Sequence, residues 1–149
     1  CQPASKSLSA ENTEHSPWNN FVMSSEAENY PAGSIFRDAA LAKLFMNQSA
    51  RGGLNSFLTN NWDVDAVEVV NALRAIGANS AADQLDVVLR KLGGSLPRAT
   101  QDERWHFLEK HWKDEMNDYD TLSGESYRDL MEALESHVNK NKEFYESLK

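Results

Sequence analysis

The residues best suited to chemistry crowd into the C-terminal third of this chain. Three carboxylate pairs, Asp114 with Glu115, Asp118 with Asp120 and Glu132 with Glu135, have the residue types for general acid/base work. A catalytic pair also needs a concave, partly dry site that drives its two pKa values apart. Carboxylates on helix surfaces usually face water instead, and the spacing singles out none of the three pairs. His106 and His111 lie five apart, off the i, i+4 face that a helical zinc pair shares. Asp118-Tyr119-Asp120 lacks the later ligands and the terminal Glu of a calcium loop. There is no phosphate loop, dinucleotide glycine fingerprint or nucleophile elbow, and Gly52-Gly53 is too short to cradle a phosphate. The expectation is a chain with no catalytic residues, no metal and no cofactor.

Charge placement says more. The net charge of −8 is uneven: residues 101–149 carry 7 Lys+Arg against 13 Asp+Glu, whereas residues 51–100 are balanced at 5 against 5. A basic footprint, which direct nucleic-acid binding needs in order to neutralise phosphates, is missing. An acidic face composed of Asp114, Glu115, Asp118, Asp120, Glu125, Asp129 and Glu132 instead favours a protein partner of basic character. Trp105 and Trp112, seven apart on one stripe, read first as core, with a half-exposed interface anchor as the alternative.

The only cysteine is Cys1, so neither an intrachain disulfide nor a cysteine-based zinc site can form. Cys1 followed by a polar stretch looks like the mature start of a bacterial lipoprotein. On that reading the protein is lipid-anchored on the periplasmic side of the envelope, touching the membrane only through Cys1. The alternative is a cytoplasmic chain. No apolar run approaches the length of a membrane span.

The elements that must position these residues are helical. Residues 1–17 read as a flexible tether and 18–149 as one compact domain of about five to seven helices. Ser25-x-x-Glu28 has capping-box spacing for a short helix over 24–30. Ser34 can cap a helix bearing Leu41, Leu44 and Phe45, which Arg51-Gly52-Gly53 should break. Val69, Ala72, Leu73 and Ile76 follow at helical spacing, closed by Gly77; Leu85, Val88, Leu89 and Leu92 repeat the pattern before Gly93-Gly94. Thr100-x-x-Glu103 is a capping box leading into Trp105, Leu108, Trp112 and Met116. Ser126 should open one long final helix, with Asp129 in its first turn and the stripe running through Leu130, Leu134 and Val138 to Tyr145. Nothing alternates as a strand does, so the fold class is all-α.

One stretch carries a resemblance. Gly52-Gly53-Leu54-x-x-Phe57-Leu58-x-Asn60, then a helix ending Ile76-Gly77-Ala78, resembles a bacterial family of unassigned helical domains that includes a DNA-mimic protein. Pro97, Asp102-Glu103-Arg104 and the acidic, aromatic C-terminal region extend the likeness over roughly residues 40–149. The chain departs from the family pattern at Leu54, where an aromatic is usual, and at Ser56, where Gln is usual. Gly52, Gly53, Phe57 and Asn60 make physical sense as a turn, a buried anchor and a cap for the next helix. The resemblance implies an all-helical domain without established enzymatic activity. For one branch it implies an acidic surface that imitates DNA phosphates.

The expected function is therefore a non-catalytic acidic protein-binding domain, an envelope lipoprotein neutralising a protein partner as an immunity protein does. The alternative is a cytoplasmic DNA mimic, and a small carboxylate-dependent hydrolase ranks last. A homodimer is compatible with either of the first two.

Overall fold

A computed structural model describes residues 16–24 and 26–148. Cys1, most of the expected tether and Ser25, half of one expected capping box, lie outside the described residues. Seven α-helices and two 3-10 turns make up the described chain, with no strand among them. The helices are α1 (Pro17–Ser24), α2 (Ile35–Asn60), α3 (Ala66–Ala75), α4 (Asn79–Lys91), α5 (Gln101–His111), α6 (Gly124–Lys140) and α7 (Lys142–Glu146). The 3-10 turns span Ala27–Asn29 and Asp114–Tyr119. None of these helices is long and apolar enough to cross a membrane.

The long α2 is the central element, packed against α3, α5, α6 and the first 3-10 turn. Gly52-Gly53 does not end it, as expected, but kinks it. Gly53 takes φ +87°, ψ −179°, and the helix resumes at Leu54. Phe45 before the kink and Phe57 after it meet edge to face at 5.0 Å, so the core locks the two halves together. Around them Leu41, Leu54, Leu58, Val69, Leu73, Leu85, Val88, Leu108, Leu130 and Leu134 close the core. Helix α3 stops in a Schellman turn: Gly77, at φ +93°, donates to the Arg74 carbonyl, and Ala78 N–H reaches Leu73 O at 2.9 Å. Gly93-Gly94 closes α4 in the same way.

Helix α1 was not anticipated from periodicity. Ser16 Oγ accepts from Asn19 N–H at 3.1 Å and Pro17 occupies the first helical position, a short but strong start signal. It survives through packing: Phe21 is fully buried against Tyr145, 5.3 Å edge to face. Lys43 Nζ collects the carbonyls of Phe21 and Val22 at its C-terminal end.

The final helix departs from expectation at both ends. Ser123, not Ser126, is the cap, its Oγ accepting from Ser126 N–H at 3.0 Å, and Glu125 rather than Asp129 falls in the first turn. Ser126 is buried one turn inside. The expected continuous helix breaks at Asn141, whose carboxamide donates to the His137 carbonyl at 2.8 Å while its backbone leaves the helical region. The break turns Tyr145 back so that its hydroxyl sits 2.7 Å from His137 Nε2 in the interior.

Candidate functional site

The acidic residues singled out from sequence are divided by the fold into two groups and one exception. Asp114, Glu115 and Asp118 are exposed on the second 3-10 turn; Glu125, Asp129 and Glu132 follow one another along α6. Helix α4 links them. Lys91 at its C-terminal end lies 3.7 Å from Glu115, and Ser80 at its N-terminal end meets Asp129 at 2.9 Å and Glu125 at 3.2 Å. Gln84 between them holds the intervening loop, donating to the carbonyls of Tyr119 and Thr121 at 2.8 Å each and accepting from Ser123 N–H. Nothing in the helical pattern flagged Gln84, since one exposed carboxamide among apolar stripe residues looks like surface.

Three carboxylates on α3 and α4 are held by arginines. Glu68 is bound by Arg37 at 2.6 Å, Asp83 by Arg74 at 2.8 Å, and Asp86 by Arg90 at 2.7 Å. Among the described residues, Asp114, Asp118, Glu125, Asp129 and Glu132 have no cationic partner, and Glu115 has only the long contact to Lys91. The C-terminal acids thus leave an uncompensated negative field.

Asp120 is the exception. Its backbone carbonyl accepts from Leu54 N–H at 2.6 Å and its Oδ1 from Asn55 N–H at 2.8 Å. It therefore caps the resumed half of α2 from across the structure, satisfying N–H groups that the kink strips of partners. A Cβ on Gly53 would stand 2.6 Å from Asp120 Oδ2 and 2.7 Å from its carbonyl, so this approach requires glycine for space as well as for φ. Asp120 is thus a framework cap, set apart from the six acids of the 3-10 turn and α6.

The motif around Gly52 also resolves into parts. Phe57 is buried, Gly53 is the kink and Gly77 the end of α3, with Ile76 half-buried at its C-cap. Asn60 does not cap the next helix, as expected, because α3 begins only at Ala66. There Asp65 accepts from Val67 N–H at 3.0 Å. Asn60 stays on α2, its Nδ2 donating to Ser56 Oγ at 3.2 Å. Gly52, Ser56 and Asn60, at i, i+4 and i+8, share one wall of an open groove of ≈ 500 Å³ with Asn55 and Thr59. The opposite wall is Trp105 and Trp112, with Asn117 and Asp120 at one end.

Trp105 is 47% exposed, which overturns its assignment to the core. The buried line of α5 is Arg104 and Leu108, and one residue of offset turns Trp105 by roughly 100° away from it. Trp112 is half-buried beyond the helix end, and its indole N–H donates to Asn117 Oδ1 at 2.8 Å. Sequence reasoning missed the residue that sets this geometry. Arg104 is 1% exposed and donates to the carbonyls of Leu58 at 2.6 Å, Pro97 at 2.8 Å and Trp62 at 2.9 Å. No carboxylate balances it directly. Burial and Arg98 both push its pKa down, opposed by Asp63. It pins α5 to the end of α2 and so fixes the two walls of the groove.

The histidines do not assemble. His106 is exposed beside Asp102, and His111 lies against Phe107 at 4.4 Å. No group of three or more His, Cys, Asp or Glu is placed to hold a metal ion among the described residues.

The family model described as DMP19-like protein matches residues 34–144, from the cap of α2 to α7. The chain belongs to the DMP19-like family. The match takes in the kink, the Arg104 anchor, the groove and both acidic groups, and leaves out α1 and its 3-10 turn. Comparisons with curated proteins and with solved structures give no match.

Proposed function

We propose that the chain acts by binding a protein, without catalysis, through the acidic face formed by Asp114, Glu115 and Asp118 on the 3-10 turn and Glu125, Asp129 and Glu132 on α6. The observation that supports it is the unequal pairing of carboxylates. Glu68, Asp83 and Asp86 each meet an arginine within 2.8 Å, whereas these six have a single cationic contact between them, the 3.7 Å one from Glu115 to Lys91. Leaving such charge unpaired favours encounter with a basic surface and penalises acidic ones. A DMP19-like domain with this charge layout suits the DNA-mimic mode, in which carboxylates take the place of phosphates on a DNA-binding protein.

The test compares the full chain with an Asp114→Asn/Asp118→Asn/Asp129→Asn variant as immobilised baits for basic cellular proteins, at two salt concentrations. The wild type should retain basic proteins that duplex DNA displaces and that the variant loses. Equal retention by both baits, or retention insensitive to DNA and salt, refutes the reading.

A further inference from the structure

The groove between α2 and α5 has no role in the acidic-face reading, and its chemistry is one-sided. Lys, Arg and His are absent from its lining, and its only ionisable group is Asp120. Three of its donors are committed internally. Thr59 Oγ1 donates to the Asn55 carbonyl at 2.9 Å, Asn60 Nδ2 to Ser56, and the Trp112 indole to Asn117. Two acceptors stay open: the Asn55 carboxamide oxygen and Asp120 Oδ2 accept from nothing among the described residues. Beside them stands the half-exposed indole of Trp105. A groove without a cation of its own, with a free carboxylate oxygen, a free carboxamide oxygen and an exposed indole, suits a planar cation that donates and stacks. Asp118, next to Asn117, and Asp102, one turn before Trp105, are exposed and add negative charge nearby.

We propose that this groove receives an arginine side chain of the basic protein partner, its guanidinium stacked on Trp105 and bonded by Asn55 and Asp120. The guanidinium is planar, carries five donors and no acceptor, and stacks on indole. A lysine ammonium has no plane to match to the open, flat wall. An extended peptide finds no sheet edge to join, and the polar α2 wall does not suit the apolar face of a helix. The inference rests on the reading of a basic partner and adds the anchor for it.

The test follows the indole N–H resonances of Trp105 and Trp112 in the full chain. The probes are a blocked Gly-Gly-Arg-Gly-Gly peptide, its citrulline counterpart and chitobiose. The arginine peptide should shift the Trp105 indole with millimolar affinity, and the uncharged, nearly isosteric citrulline peptide should bind at least about 10-fold more weakly. Trp105→Ala should weaken the arginine peptide by about 5- to 10-fold and Asn55→Lys should abolish its binding, with circular dichroism confirming the fold. Equal binding of the citrulline peptide overturns the proposal. So does a Trp105 shift with chitobiose alone, which would mark a saccharide site, and so does no shift with any probe.

The two readings fail separately. Should the Asp114→Asn/Asp118→Asn/Asp129→Asn bait lose its basic partners while Trp105→Ala leaves the arginine peptide unaffected, the groove proposal falls and the acidic face stands. Should arginine binding follow Trp105 while that bait retains its partners, the groove stands without the face.

Discussion

Replacing Arg104 tests whether one buried cation holds the groove together. The guanidinium donates to three backbone carbonyls at 2.6–2.9 Å and is 1% exposed, so Arg104→Ala leaves the oxygens of Leu58, Pro97 and Trp62 without their donor. Each charge-assisted bond is worth about 1.5–3 kcal/mol, but the cation's own desolvation cost disappears with it. The residual cost, three carbonyls left without a donor at about 1–3 kcal/mol each, less the desolvation cost removed with the cation, should be about 3–5 kcal/mol. For a chain of this length that lowers Tm by on the order of 10 °C. Arg104→Lys should recover only part, because an ammonium on a single point cannot span three carbonyls on two segments. Arg98→Ala serves as control: its guanidinium donates to Asp63 O at 2.8 Å at the surface, and removing it should cost under about 1 kcal/mol. Urea unfolding followed by circular dichroism measures all three, with a lowered midpoint at unchanged slope as the signature. If Arg104→Ala costs less than about 1 kcal/mol, the carbonyls find other donors and the anchor argument is wrong.

Three further outcomes follow from the same coordinates. Gly53→Ala should destabilise by about 2–4 kcal/mol, against about 1 kcal/mol for Gly77→Ala, which shares a positive φ but has open space around it; similar costs in thermal melts would show that the crowding by Asp120 is irrelevant. Asp120→Ala should cost about 1–2 kcal/mol through the lost cap on Asn55 N–H, with Asp120→Asn costing less; a neutral result for both in urea titrations would return Asp120 to the binding face. His137 has its pKa lowered by burial and the neighbouring Tyr145 has its own raised by burial. Below about pH 6.5 the unfolded chain gains a proton that the buried imidazole refuses, and above about pH 10 it loses one that the buried phenol keeps. Stability should therefore plateau between these limits and fall on both sides. In His137→Phe the slope attributable to this residue should vanish from the acid side, and an unchanged acid profile would refute its assignment.

The first half of α2, α3, α4 and the start of α5 were legible because each rests on local signals: apolar spacing, Ser34, Thr100, and the glycines at 77 and 93. Such signals act within one or two turns, so short-range chemistry decides them. The all-α class followed from the same spacing, and the family likeness from residues 52–78 agrees with the match over residues 34–144. Decisions between distant segments were not legible. Two serines could each cap α6, and tertiary contact with α4 favours the loop that places Ser123 there. Asp120 looked like one more surface acid, and only the kink at Gly53, which frees the N–H groups of Leu54 and of Asn55, the latter 65 residues away in sequence, makes it a cap.

The carboxylate-rich C-terminal third was determined by sequence alone as a local excess of negative charge, because composition and net charge do not depend on folding. Which of those acids stay without a cationic neighbour was decided by the tertiary structure. The fold brings Arg37 to Glu68 and Arg74 to Asp83 from other helices, Asp86 is paired within α4 by Arg90 one turn on, and Asp114, Asp118 and Glu132 meet no arginine among the described residues. The same holds for Trp105. Its place on an apolar stripe is a matter of spacing, but its exposure follows from Arg104, which takes the buried line of α5 because three carbonyls wait there for its guanidinium.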